Sequence, residues 1–530
     1  MMYVFETTIN FRCFRVLQIF YVPFTFISYI FFAIHNYSMK TFGIQSSMLF
    51  LAVSSVFMLV SCKKGEDVAP LTGEASRGEI NDWILDNMQT YYYWNDKLPA
   101  NPDTAQAPGD FFNSILYHYD ATTNPNGDRF SWIQESAEVL VAGLSGESKT
   151  TGMEFSYYRK PQNTTEVVAS VLYVLPGSPA AKAGFKRGDL IAKVNGTTMT
   201  DGTTGTYFSS LLFGEGDTKT YGLAGIEYDK NDPTKISAIV DMNESRTVTA
   251  AVFQEDPVYL DSVYTVGAKK IGYLVYNQFV PGPNGSTTAT YDQKIDAIFG
   301  KFKAQGVNEL ILDFRYNPGG YVSSATLLGS LIAKNVGTKS VFTRKEWNPT
   351  ITPELQKKYG ADYFYDYLQQ KANNIGSNLQ QVYVLTTTGT ASASELVING
   401  LRPYMNQQVY TIGQKTYGKN VGSITISDKT KRIKWGIQPI VSKSFNKDNQ
   451  SDYSVGFKPK VELTEGINKK QLGDVTERYL SEAIFQITGT RMARRAAPDE
   501  QALPSIGSSV TRKAGGSNMF FNDEVPGIHR

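Results

Sequence analysis

Thr390-Ala391-Ser392-Ala393-Ser394-Glu395 stands between an apolar run, Val382-Tyr383-Val384-Leu385, and a segment of helical period ending at Leu401. The run reads as a buried strand, Thr388-Gly389-Thr390 as a turn, and Ser394 to Leu401 as a helix. A serine at such a strand-to-helix turn lies beside helix N-terminal amides, which favour developing negative charge. Ser392-x-x-Glu395 ahead of Leu396-Val397-Ile398 fits a capping box equally well, and these six residues alone leave both readings open.

A serine hydroxyl is a poor nucleophile until a base removes its proton. The chain holds three histidines, His35, His118 and His529, and none is near Ser392 in sequence. A lysine amine can serve instead, provided it is held neutral. Moving its pKa from about 10.4 to about 7 requires about 5 kcal/mol of bias against the ammonium, which burial supplies. Lys415-Thr416-Tyr417-Gly418-Lys419 offers candidates, and Lys419 lies among Tyr410, Ile412, Tyr417, Val421 and Ile424 with no acid between Val409 and Ile426. An ordinary surface lysine in a glycine-rich turn is the alternative.

A second loop of similar design lies upstream. Val307 to Phe314 reads as an apolar strand entering Arg315-Tyr316-Asn317-Pro318-Gly319-Gly320, and helical-period residues run from Val322 to Ile332. Paired glycines after a proline let backbone amides turn outward, as in an oxyanion hole or anion nest, or simply make a tight turn.

Asp313-x-Arg315-x-Asn317-x-Gly319-Gly320, then T-A-S-A-S-E, then K-T-Y-G-K, in this order, resemble the carboxyl-terminal processing proteases, the S41 serine peptidases, over roughly residues 75 to 490. The resemblance implies Ser392 as nucleophile, Lys419 as general base, and amides near Gly319, Gly320 and Ala393 as the oxyanion site. Ser394 and Lys415 are the reserve candidates. Family members often carry a glutamine four residues after the lysine to orient it; Ser423 stands there and becomes the candidate orienting residue. The implied core is an α/β fold of ClpP/crotonase-like type.

Val171 to Gly196 contains L-Y-V-L-P-G-S-P-A-A-K-A-G-F-K-R-G-D-L-I-A-K-V-N-G, which resembles the PDZ domain inserted in these proteases. Such a domain adds a peptide as an extra strand, with loop amides at Gly152, Met153, Glu154 and Phe155 expected to capture its terminal carboxylate. Pro179 to Ala183 would start a short helix that Gly184 ends, and the polar stretch from Gly202 to Glu244 reads as an insertion.

With 530 residues the chain allows about three domains. A net charge of +2 without a basic cluster in its body argues against a nucleic-acid partner. The two cysteines, Cys13 and Cys62, precede the globular part, which leaves no thiolate metal site there; neither a metal nor a cofactor is expected. Met39-Lys40, the apolar stretch from Met48 to Val60, and Leu59-Val60-Ser61-Cys62 have the zones of a secretory signal, and the last four residues resemble a bacterial lipobox with Cys62 as the lipidated residue.

The expected organisation is a leader and lipoprotein signal at 1–62 with Met39 as the suspected start, and a tether at 63–78. A small helical domain at 79–145, a β-rich PDZ domain at 146–255, the protease core at 256–490 and a disordered polar tail at 491–530 follow. The expected function is that of a membrane-anchored serine endopeptidase in a bacterial cell envelope, tied by lipid to the outer membrane on its periplasmic or surface face. Its partners would be polypeptides with free C-termini, held by the PDZ domain and cut near their ends. A non-catalytic, peptide-binding PDZ lipoprotein scaffold is the competing expectation; the oligomeric state is not legible.

Overall fold

The computed structural model describes residues 73–202, 207–491, 503–513 and 519–521. The signal, Cys62 and most of the tether lie outside them. Among the described residues no helix is long and apolar enough to cross a membrane.

The core is a six-stranded sheet of Val258–Val266, Lys269–Tyr276, Glu309–Asp313, Val382–Thr386, Val409–Gly413 and Val461–Glu462, in that order. All neighbours are parallel except the first pair, a hairpin. Parallel strands need covered crossovers, and the helices Thr290–Ala304, Val322–Ile332 and Ala393–Leu401 supply them. Strand residues alternate between two apolar layers. Leu274, Leu310, Leu312, Val382 and Val384 pack with these crossover helices, whereas Ile271, Tyr273, Ile311, Tyr383 and Leu385 pack with Tyr479, Leu480 and Ile484 of the helix Arg478–Thr488.

The N-terminal helices Arg77–Tyr91 and Pro108–Ser114 join the first of these layers through Ile84, Met88, Phe111 and Phe112. The first is closed by a capping box between Ser76 and Glu79. The small helical domain therefore shares the protease core's apolar interior instead of enclosing its own.

The PDZ sheet runs Met153–Lys160, Asn163–Val174, Leu190–Val194, Thr218–Tyr228, Ile236–Thr249. The stretch expected as an insertion is thus part of this sheet: Thr218–Tyr228 pairs with Leu190–Val194 and buries Tyr221 and Leu223 in the PDZ core. Its polar residues alternate with those inward-facing ones, which conceals a strand in the composition.

The tail also departs from expectation. Ser505–Ser508 adds to the PDZ sheet beside Met153–Lys160, and Met519–Phe520 forms the second strand of another sheet. That sheet runs Gly320–Tyr321, Met519–Phe520, Val421–Ser423, Ile440–Phe445, Val341–Trp347, Tyr365–Tyr367. The apolar Met519, Phe520 and Phe521, flanked by polar residues, supply the burial that overall tail composition did not suggest.

Candidate active site

Three loops meet at the C-terminal ends of neighbouring parallel strands, where open α/β sheets place ligands. The glycine loop follows Glu309–Asp313, the serine loop follows Val382–Thr386, and the lysine loop follows Val409–Gly413.

Asn317 binds the first two together. Its side chain donates to Tyr276 O (2.8 Å) and accepts from Gly319 N–H (2.9 Å), while its carbonyl accepts from Ala391 N–H (3.2 Å) and the Ser394 hydroxyl (3.1 Å). Gly319 is consequently removed from the set of available oxyanion donors, because its amide is committed within the loop. Ser394 is likewise spent on structure. Gly320 has φ +134°, and a Cβ there would lie 2.2 Å from Phe279 O, so only glycine fits the turn.

Glu395 binds the serine and lysine loops. Its fully buried carboxylate accepts from Ser392 N–H (2.8 Å), Lys419 N–H (2.8 Å), Gly418 N–H (2.8 Å) and the Thr416 hydroxyl (2.6 Å). Ser392 and Lys419 donate to the same oxygen, Oε2, which holds their backbones side by side. Burial pushes the Glu395 carboxyl up to about 7, against the pull of its donors. The capping box is present in outline, but its glutamate half carries it: the Ser392 hydroxyl has no hydrogen-bond partner among the described residues.

Ser392 itself is strained, with φ 62° and ψ −114° at the helix N-cap. Such a backbone costs a non-glycine residue on the order of 1–3 kcal/mol and persists where surrounding contacts enforce it. Ala393 begins the helix, where first-turn amides have no intrahelical acceptor.

Lys419 is fully buried, and burial brings its amine down to about 7. Asp128 and Glu395 oppose that shift while Arg129 assists it. Acids absent from the local sequence thus arrive from elsewhere in the fold, yet desolvation outweighs them. The Lys419 amine lies 4.8 Å from the centre of the Phe130 ring. Lys415, the reserve base, is exposed.

Sequence reading missed the part played by residues 128–130. Arg129 donates to Gly418 O (3.0 Å) and Ser454 O (3.1 Å) and lies over the Tyr417 ring at 5.0 Å, clamping the lysine loop from the N-terminal domain. Asp128-Arg129-Phe130-Ser131 is plain in the sequence, but nothing local links it to a loop nearly three hundred residues away. Ser423, the candidate orienting residue, is otherwise engaged: its hydroxyl donates to Met519 O (3.1 Å).

In the PDZ loop, Gly152 donates to Thr150 Oγ1 (3.0 Å), and its φ of +86° leaves no room for a Cβ, which would meet Ser178 Cβ at 2.2 Å. Met153 is core. Phe155 N–H donates to Ser509 Oγ (2.7 Å), and the Ser509 hydroxyl donates to Glu154. Of the expected carboxylate-capture loop, Glu154 and Phe155 therefore meet this chain's own tail, while Gly152 and Met153 are engaged within the PDZ domain.

A buried ionic cluster joins PDZ and core. Arg187 donates to Leu172 O, the Tyr316 hydroxyl, Lys470 O and Glu465; Arg315 pairs with Asp313, Glu465 and Glu477. Desolvation raises the Glu465 carboxyl, but Arg187 and Arg315 together bring it down to about 2. Among the described residues no group of His, Cys, Asp and Glu is arranged to hold a metal.

These strands, loops and inserted sheet define an α/β core of peptidase type bearing a PDZ domain. The chain matches the peptidase family S41 at residues 270–463, the S41 N-terminal domain at 79–132 and a PDZ domain at 170–221, and so is built from the domains of the S41 peptidases. A solved structure assigned as an S41 protease, from Bacteroides fragilis NCTC 9343, is 28% identical, covers 77% of this chain and 97% of its own, and superposes with a TM-score of 0.61. The C-terminal processing peptidase of Tetradesmus obliquus chloroplasts is 26% identical over 66% of this chain and 68% of its own length. The carboxyl-terminal-processing protease of a Picosynechococcus species is 24% identical over 54% of this chain, which spans 58% of that relative.

Proposed function

We propose that this chain is a serine endopeptidase in which Ser392 attacks the peptide carbonyl and Lys419 acts as general base. One observation carries the proposal: the Glu395 carboxylate binds the amides of both residues while the Lys419 amine is fully buried and poised near neutrality. The neutral amine takes the Ser392 proton as the new C–O bond forms. Amides of Gly320 and Ala393 supply the donors for the oxyanion, and the resulting ammonium returns its proton to the leaving amine. Water, deprotonated by the same lysine, releases the acyl group.

The substrate is a polypeptide added as a strand, with its free C-terminus presented through the PDZ domain and cleavage near that end. The C-terminal processing relatives support this choice. Cys62 is proposed as a lipid anchor holding the enzyme in a bacterial envelope, on the strength of the lipobox-like Leu59-Val60-Ser61-Cys62.

Fluorophosphonate labelling tests the chemistry. Wild type should label at Ser392, Lys419→Ala should lose the label, and Lys415→Ala should keep it. A wild type that neither labels nor cleaves any C-terminally exposed polypeptide would leave a peptide-binding scaffold.

A further inference from the structure

We infer that two pieces of the chain's own C-terminal segment, residues 503–513 on the PDZ sheet edge and 519–521 beside the glycine and lysine loops, are bound in cis as a peptide ligand, and that an exogenous peptide must displace them. This rests on the proteolytic reading for its consequence but not for its geometry.

At the PDZ domain, Ser505–Ser508 pairs antiparallel with Met153–Lys160, which would otherwise be the edge of that sheet. Ile506 packs on the PDZ core, and the hydroxyls of Ser508 and Ser509 engage the backbone of Phe155. Val510 is buried with Leu172, Tyr173 and Tyr316, and Lys513 pairs with Glu255 at 2.7 Å. These are the contacts of a peptide added to a sheet edge, made here by the same polypeptide.

At the cleft, Met519–Phe520 lies between Gly320–Tyr321, which bears the remaining glycine-loop oxyanion candidate, and Val421–Ser423, which begins two residues after Lys419. Met519 O accepts from the Ser423 hydroxyl, and Phe521 N–H donates to Ser423 O at 3.2 Å. The Phe520 ring meets Tyr321 edge-on at 4.5 Å and packs with Leu140 and Leu144. Phe521 covers Gly422 and lies 4.9 Å from the Lys345 amine. Without this two-residue strand, Gly320–Tyr321 and the edge of Val421–Ser423 turned away from Ile440–Phe445 would face one vacated strand position. The site is thus shaped for an extended strand with an apolar residue followed by two aromatics, and the tail supplies one.

The test uses the full chain with Phe520→Asp and Phe521→Asp together, and a second variant, Ser509→Ala with Lys513→Ala, that leaves the apolar strand intact. Labelling of Ser392 by a fluorophosphonate should accelerate at least fivefold in the first and by a smaller factor in the second. A synthetic peptide of residues 503–521 should restore the slow rate, which a misfolded variant could not show. In a Ser392→Ala background, the fluorescein-tagged peptide should bind the aspartate variant at least tenfold more tightly than the chain with its tail intact.

Equal labelling across all chains with no such binding preference would overturn the inference and leave the protease standing. Preferential binding with no chain labelled would uphold the inference and sink the protease. If the aspartate variant does not fold, the second variant decides by the same two readouts, and unchanged labelling and binding there overturn the inference.

Discussion

Two residues in the candidate site hold conformations or charge states that their own chemistry disfavours. Lys419 is near neutrality at about 7 in the fold and at about 10.4 when unfolded. As pH falls from about 10 to about 7, the unfolded chain takes up a proton that the folded chain refuses, and stability declines; below about 7 both states are protonated and the loss is complete. Lys419→Met should accordingly stabilise the protein at pH 7 by on the order of 2–4 kcal/mol relative to wild type, with the difference shrinking toward pH 10, measured by urea unfolding across pH. On the proposed mechanism the same amine sets activity. The rate constant kcat/KM should rise with pH through an acid limb near 7 and plateau above it. Ser392 offers a parallel test: at φ 62°, Ser392→Gly should abolish labelling yet raise stability by about 1 kcal/mol, whereas Ser392→Ala should abolish labelling without that gain.

The strand–loop–helix units were legible from sequence because their signals are local. The run from Val382, the helix to Leu401 and the helix from Val322 all lie within a residue or two of where period and caps put them. What joins the loops was less legible. Ser392-x-x-Glu395 shows a cap, but the carboxylate's other donors, on Thr416, Gly418 and Lys419, come from a loop whose approach no local pattern encodes. Glu395→Gln replaces one accepting oxygen with a donor facing amides. It should cost about 1–3 kcal/mol and lower kcat more than it raises KM, since the donors it disturbs are the amides of Ser392 and Lys419, the two residues of the proposed bond-making step. Arg129→Ala should act in the same direction more weakly, read by steady-state kinetics on one peptide.

Across the molecule, burial of ionic groups couples parts that the sequence presents as separate domains. Arg187 belongs to the PDZ region and Arg315 to the glycine loop, yet both pair with Glu465, and neither partner could be chosen from spacing because the contacts span 278 and 150 residues. Removing one member leaves uncompensated buried charge, so Arg187→Met should destabilise the fold by about 3–5 kcal/mol, measured by thermal and denaturant unfolding. The tail strand was illegible for the same reason of separation: Met519-Phe520-Phe521 is too short to show a period, and its partners lie about one hundred and two hundred residues earlier. The Arg129 clamp has a temporal consequence for a chain made from its N-terminus onward. Its guanidinium is synthesised early, but the Gly418 and Ser454 carbonyls it grips emerge hundreds of residues later, and the Glu395 carboxylate is satisfied only once residues 416–419 have docked. On the proposed mechanism, a partly synthesised polypeptide would therefore carry an inert serine, and the capacity to cut would arise only when the finished molecule closes on itself.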